Sequence, residues 1–316
     1  MKHRVALIIS YFGVLPDYFA YFVKSVGASP ILDLLLFTDA EISDPVPENI
    51  TVYRSSLSEF NERASRTLSV PVFSTNPFKT CDFRPAFGKM FAEYIRDYEF
   101  WAFGDLDLIY GDLAGFLKPL LHDFDLISCR KGWISGSLCV LRNCDKVNDL
   151  YKLSADWRAI FTSPVLRQFE ELGGCFFQPI LKGTDVLSII GPIDSFTHVV
   201  KRQAKEGSLR CAFEDLACEV LPWGETVRFH SGKLTRSSDD SEVMYIHYVV
   251  MKARFFEVPK SKAVPDSFYV RRTGVYLNKP NLVTHCSIEL LRILRGSFRA
   301  GRRVIRRQLK RSLATV

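Results

Sequence analysis

The strongest constraint on this chain is a succession of short, unbroken apolar runs, each ending in a polar turn. Val5-Ala-Leu-Ile-Ile9 stops at Ser10-Tyr11-Phe12-Gly13, Leu34 to Phe37 runs into Thr38-Asp39, and Tyr98-Glu-Phe-Trp-Ala-Phe103 ends in Gly104-Asp105-Leu106-Asp107. A strand that is apolar at nearly every position has both faces buried, the condition of a parallel sheet covered by helices. The stretches between fit that pattern. Helical spacing runs over 16–26, opened by Pro16 and Asp17, and over 57–68 and 113–121; weaker strands are predicted at 50–53, 126–128 and 134–142. Residues 81–97 read as a loop turning into one amphipathic helix through Phe87, Met90, Phe91, Tyr94 and Ile95. Repeated strand, helix, strand implies α/β: a Rossmann-like, mostly parallel central sheet flanked by helices. Beyond about residue 145 the pattern is irregular, with Gly- and Pro-containing turns at 173–174, 191–192 and 222–224. The chain therefore reads as one body over 1–288 with an elaborated second half.

Composition narrows the class. The 316 residues are 47% hydrophobic and 24% charged, which excludes a disordered, collagenous or coiled-coil chain. No apolar run reaches the length of a membrane span; Ile31 to Phe37 is short and broken by Asp33. The net charge of +7 sits in one place: from Glu289 onward nine Lys and Arg face one acid, so this tail carries +8 and the rest −1. Eight cysteines without C-x-x-C spacing read as mostly reduced and buried, favouring a cytoplasmic protein. Lys2-His3-Arg4 before an apolar run imitates a signal peptide, but Tyr11, Pro16 and Asp17 interrupt it and no A-x-A site follows.

Two aspartates at i and i+2 are a weak signal alone, and Asp123-Phe124-Asp125 repeats the spacing as an internal control. Position separates the two pairs, because ligands of open α/β sheets bind beyond the carboxyl ends of strands. Asp105 and Asp107 follow a strand; Asp123 and Asp125 precede one. Ser10-Tyr11 and Thr38-Asp39 also follow strands and share the first pair's rim. Carboxylates there suit Mg²⁺ or Mn²⁺ completed by diphosphate oxygens, a Lewis acid for a departing nucleoside diphosphate. The competing assignment is capping and turn formation, Asp105 before the helix at 113–121 and Asp107 in solvent.

The block Lys79-Thr-Cys-Asp-Phe-Arg-Pro-Ala-Phe-Gly88, followed by Tyr98-Glu-Phe-Trp-Ala-Phe-Gly-Asp-Leu-Asp-Leu-Ile-Tyr-Gly-Asp112, resembles an uncharacterised family of bacterial proteins found among polysaccharide-biosynthesis enzymes, itself similar to GT-A-type glycosyltransferases with a DxD motif. Shorter matches in the same order are Ile9-Ser-Tyr-Phe-Gly13, Phe37-Thr-Asp39, Leu141-Arg-Asn143, Phe161-Thr-Ser-Pro164, Phe169-Glu-Glu171, Gly232-Lys-Leu234 and Met244-Tyr-Ile-His247. The resemblance implies a GT-A-like domain with a nucleotide-sugar half at about 1–145 and an acceptor half at about 146–260. It implies a nucleotide-sugar donor, UDP-sugar ahead of GDP-sugar, contacted by Tyr11, Phe12, Thr38, Asp39, Asp82, Arg84 and Asp105. The metal falls to Asp105, Asp107 and His247.

Each of these has a plainer alternative. Asp82 accepts from a base or ribose, or else caps the helix after Pro85; Arg84 pairs with phosphate. Thr38-Asp39 takes a ribose hydroxyl or caps a turn. His247 is a metal ligand or a hydrogen-bonded core histidine. Glu170 and Glu171 match a Phe-Asp-Glu segment, and one of them, Glu171 ahead of Glu170, is the base if transfer inverts the anomeric centre; otherwise both are a solvated helix face. Two departures stand out: Ser137 replaces a glycine-histidine pair, and the basic run after His247 is thinned to Lys252 and Arg254.

In the tail, Leu290, Leu294, Phe298, Ile305, Leu309 and Leu313 recur at helical spacing among the arginines. A basic amphipathic helix at 289–316 reads as an anchor on an anionic membrane surface, ahead of a solvated helix and of nucleic-acid binding, for which no motif is present. The expectation is a metal-dependent transferase moving a sugar to a hydroxyl of a glycan or lipid-linked acceptor, peripheral on the inner face of the cell membrane. The alternative is a catalytically silent nucleotide-sugar or glycan-binding regulator.

Overall fold

The computed structural model of the protein describes residues 4–174, 177–252, 256–259 and 263–280. The tail expected at 289–316, Cys175, Cys286 and Arg254 lie outside the described residues. The elements, in chain order, are β1 Val5–Tyr11, α1 Phe19–Gly27, β2 Leu32–Thr38, β3 Ile50–Arg54, α2 Leu57–Leu68, a 3-10 segment Pro77–Ala86, α3 Phe87–Met90, α4 Ala92–Ile95, β4 Phe100–Gly104, β5 Leu108–Tyr110, α5 Leu113–Leu121, β6 Leu126–Ser128 and β7 Leu138–Arg142. Then follow α6 Asp145–Asn148, α7 Trp157–Thr162, α8 Gln178–Leu181, α9 Phe196–Lys205, β8 Cys211–Phe213, β9 Ala217–Cys218, β10 Val227–His230, β11 Lys233–Arg236, β12 Tyr245–His247, α10 Val249–Lys252, β13 Ser267–Arg271 and β14 Gly274–Tyr276.

These elements group into two compact units, one drawn from Met1–Pro16, Ser29–Leu106 and Leu113–Leu216, the other from Asp17–Ala28, Asp107–Asp112 and Ala217–Val316. The first holds a seven-stranded sheet in the order β3-β2-β1-β4-β7-β6-β8. β3, β2, β1 and β4 run parallel, as do β6 and β8; β7 alone is antiparallel to its neighbours β4 and β6. The α/β architecture with a mostly parallel sheet is thus present. Its cause is visible in β4, where Phe100, Trp101, Ala102, Phe103 and Gly104 are all buried, so the run needs cover on both faces. Order 3-2-1-4 means that successive strands add to one side of β1 and then to the other, which puts a topological switch point between β1 and β4. Residues just past the ends of those two strands are where such a sheet presents a ligand site.

Local sequence sets several boundaries. Ser56 accepts from the Glu59 backbone N–H while the Glu59 carboxylate accepts from the Ser56 N–H, a capping box that starts α2 at the expected residue. The helix expected from Pro16 begins only at Phe19, with no side-chain cap from Tyr18. The single helix expected within 81–97 is a 3-10 segment followed by two four-residue helices. Pro85 has no N–H to give, and Phe91, at φ −118° and ψ 24°, interrupts the helical backbone between α3 and α4. β7 starts at Leu138, because residues 134–137 bend before joining the sheet.

The second unit has a three-stranded sheet, β5-β12-β9, and a four-stranded antiparallel one, β11-β10-β13-β14. Ser231 and Gly232, both at positive φ, close the β10–β11 hairpin in two residues. Its core contains Tyr21 of α1 with Val227, Phe229, Phe268 and Val270, and the Phe229 and Phe268 rings stack at 4.6 Å. No helix among the described residues is long and apolar enough to cross a membrane.

Candidate functional site

In the second unit, β12 pairs antiparallel with β5 so that His247 stands opposite Leu108, the residue after Asp107. This register brings the imidazole to the carboxylate: His247 Nε2 lies 3.5 Å from Asp107 Oδ2. Both residues are buried, at 6% and 5% exposure, too little for a solvated turn aspartate or a surface histidine. Glu219, after β9, faces the other ring nitrogen, its Oε1 3.4 Å from His247 Nδ1. Lys252, at the end of α10, binds the Asp107 carboxylate directly. Burial works against the Asp107 charge, but His247 and Lys252 outweigh it and hold the carboxyl well below the usual range.

An imidazole between two carboxylates is chemically informative. A neutral ring has one N–H and one bare lone pair, so one of the two carboxylates then faces a lone pair. The arrangement is relieved by protonating the ring or by a cation between Nε2 and Asp107. A carboxylate beside the Nε2 lone pair of a neutral imidazole is a donor pair suited to Mn²⁺ and acceptable to Mg²⁺, with Glu219 left to hold Nδ1–H.

In the first unit, Asp105 follows β4 at the switch point. Its backbone N–H donates to Ser137 O at 3.1 Å. Gly104 permits that approach, since a Cβ there would lie 2.7 Å from the same carbonyl oxygen. Arg84 supports the carboxylate: Nη2 donates to Asp105 Oδ1 at 2.6 Å and Nη1 to Gly136 O at 2.9 Å. Burial opposes the guanidinium charge, but Cys81, Asp105 and Glu170 together more than restore it. Arg84, expected to pair with phosphate, here braces Asp105.

Around the same guanidinium stand Glu170, with Oε1 3.8 Å from Nη1, and Glu171, whose Oε1 accepts from the Gly136 N–H at 2.9 Å. Glu170 is 5% exposed and its Oε2 has no partner among the described residues. Burial pushes its carboxyl up to about 8 despite Arg84. At 5% exposure it is no solvated helix face, and that alternative is corrected for Glu170.

Asp105 and Asp107 flank Leu106, so two residues of covalent chain keep them close. The remaining expected residues divide. Asp39 is exposed at the rim, where Oδ1 accepts from the Gly13 N–H at 2.7 Å. Tyr11 donates its hydroxyl to Val14 O at 3.0 Å. Thr38 is fully buried and its Oγ1 accepts from the Ala40 N–H, the turn-capping alternative. Phe12 is a core residue, its ring edge-on to Phe60 at 6.0 Å, which corrects its assignment to the nucleotide.

Asp82 is corrected most fully. It is 0% exposed, lies inside the 3-10 segment and caps nothing. Its oxygens accept from Lys79 Nζ at 2.7 Å and from the N–H groups of Arg167 and Phe169, each at 2.9 Å. Lys79, missed in the sequence, is 1% exposed and also donates to Ile160 O and Val165 O. The pair fastens the chain around residue 167 to the 3-10 segment. Glu219 was missed as well, since nothing around it in the sequence separates it from the other acids.

The profile of a family of unknown function (DUF6625) matches residues 7–279. No curated protein matches the chain. Solved structures similar to it include a galactosyltransferase, LgtC, in complex with donor and acceptor sugar analogs, at 14% identity over 54% of this chain and 72% of that one, TM-score 0.32. Another is mouse xyloside xylosyltransferase 1 in its apo form, at 9% identity over 78% and 97%, TM-score 0.39. Likenesses at these scores leave the chemistry to be read from the side chains of the site itself.

Proposed function

The chain belongs to the family of unknown function DUF6625, and we propose that it is a metal-dependent glycosyltransferase of the GT-A type, moving a sugar from a nucleotide-sugar donor to a hydroxyl of a glycan or lipid-linked polysaccharide precursor. The single observation that carries this reading is the β5–β12 register, which delivers a buried histidine to the second aspartate of a pair beginning at the sheet's switch point. Asp105, Asp107 and His247 would hold Mn²⁺ or Mg²⁺, and the bound ion supplies Lewis-acid stabilisation of charge on the departing diphosphate. Arg84 keeps the Asp105 carboxylate oriented. Lys252 already binds Asp107 and is placed to follow anionic charge arriving there. Asp39 and Tyr11 at the rim face the nucleotide in this reading. If transfer inverts the anomeric centre, Glu171, ahead of Glu170, takes the acceptor proton. A bacterial setting, a UDP donor and anchoring of 289–316 on the inner membrane face belong to the same proposal, supported by the motif order and the tail's charge.

A second reading has its own observation. Both aspartates already carry an intramolecular cation, Arg84 on Asp105 and Lys252 on Asp107, as a silent nucleotide-sugar or glycan-binding regulator would require. Thermal-shift measurements with nucleoside diphosphates, with and without Mn²⁺, followed by an assay of donor hydrolysis, separate the two. Mn²⁺-dependent stabilisation with turnover supports the enzyme. Stabilisation without metal dependence or turnover supports the regulator and defeats the enzyme.

A further inference from the structure

Within the first unit, the loop between β6 and β7, α8 and α9 enclose a cavity of about 460 Å³, the scale of small-molecule sites. Its floor is apolar. Trp133, Ile180 and Val186 are buried and belong to a small cluster apart from the main core. Two cations with different surroundings reach the wall, Arg130 and Lys201. The Arg130 guanidinium is matched: Nη1 pairs with Asp215 Oδ1 at 2.9 Å and the group lies 5.7 Å from the Trp133 ring centroid. Lys201 projects from α9 with Nζ 3.3 Å from the Phe213 ring centroid, and it makes no hydrogen bond or ion pair among the described residues.

A half-buried ammonium with no ion pair among the described residues is costly, and burial pushes Lys201 below its ordinary range. Asp185 in the same wall favours the Lys201 charge through space but makes no hydrogen bond or ion pair with it; its carboxylate accepts from the Leu187 N–H and opens a 3-10 turn. Lys131 adds a further positive charge to the lining. The cavity therefore combines an apolar floor with a cation that has no ion-pair partner among the described residues. An aromatic and aliphatic surface beside a charged donor is what a sugar ring carrying an acidic substituent needs, since its C–H face packs on the floor and its anion takes a charge-assisted hydrogen bond.

We propose that this cavity binds an anionic saccharide unit, with its carboxylate or phosphate on Lys201 and its ring against Trp133, Ile180 and Val186. The choice of a sugar rests on the transferase reading, whereas the anion requirement rests on the cavity alone. The test is calorimetric titration of the full chain in EDTA, with glucuronate, glucose 6-phosphate, glucose and inorganic phosphate as probes. Glucuronate or glucose 6-phosphate is expected to bind at least about tenfold more tightly than glucose or phosphate. Lys201→Met lowers that affinity about 10- to 100-fold, and Lys201→Arg retains most of it. Asp107→Asn leaves it unchanged, so loss of the metal site and loss of this site are told apart. Glucose binding as well as glucuronate overturns the anion requirement; phosphate binding as well as the acidic sugars overturns the saccharide. Absence of binding by both acidic sugars overturns the proposal, and so does full affinity in Lys201→Met. Should Lys201→Met not fold, Lys201→Gln takes its place with the same expected loss, and full affinity there overturns the proposal equally.

Discussion

Asp123-Phe124-Asp125 precedes β6, and Asp125 is saturated: Arg142 Nε at 3.2 Å and Arg210 Nη2 at 2.8 Å both pair with its Oδ1. Asp105-Leu106-Asp107 follows β4, and Asp107 there faces a buried histidine. The two segments have the same spacing and opposite places in the sheet. Strand direction decides the difference, because a parallel sheet collects the carboxyl ends of its strands on one rim and leaves the other for structural pairing. On the rear rim Asp125 meets two arginines that hold the loop; on the front rim Arg84 and Lys252 also meet the pair, but Asp107 faces a buried histidine besides.

Four experiments test whether the two acidic segments differ in this way. The largest effect is expected from Asp107→Asn, which should lower sugar transfer by on the order of 10²- to 10³-fold and remove Mn²⁺ binding, measured by turnover and by the Mn²⁺ electron paramagnetic resonance signal. Retained Mn²⁺ binding in a folded Asp107→Asn protein would erase the functional distinction between the two pairs. Glu219→Ala comes next, with Mn²⁺ affinity down about 10- to 100-fold, because the carboxylate behind His247 orients the ring. Glu219→Gln, which still offers an oxygen to Nδ1–H, should recover most of that loss.

Asp125→Asn is the complementary case. Activity stays at the wild-type level, while stability falls by about 1–2 kcal/mol in urea unfolding, the exposed Arg210 limiting the effect. Arg210 holds the Asp125 carboxyl below its ordinary range, so its contribution is present above the unfolded value near 4 and disappears as the pH falls further. The mildest change is in pH dependence. With the Glu170 carboxyl raised to about 8, the native state retains a proton that the unfolded chain loses near 4.5, so stability declines as pH rises from about 4.5 to 8. Glu170→Gln should flatten that slope and raise the melting temperature at pH 8. An unchanged slope would show that Glu170 is ionised in the native state.

Most of the first unit was legible from the chain. Continuous apolar runs marked β1, β2 and β4, and helical spacing marked α2 at 57–68. The short runs 211–213, 227–230 and 267–271 in the second half have less to announce them, since strands of three to five residues leave little periodicity to read. Among the candidate site residues, Asp105 and Asp107 stood out by their place after a strand and His247 only through the resemblance, whereas Asp82 and Phe12 were misassigned and Glu219 and Lys79 overlooked.

The amino-acid order by itself determined where backbone could be buried on both faces and where polar groups had to interrupt it; those choices depend on neighbours a few residues away. Only tertiary structure decided which acid is a brace and which is a candidate ligand. Asp82 is fixed by N–H groups 85 and 87 residues along the chain, and Asp107 by a histidine 140 residues away. A carboxylate's role is set by the cations, donors and water it meets after folding, and strand register supplies those without leaving any local mark.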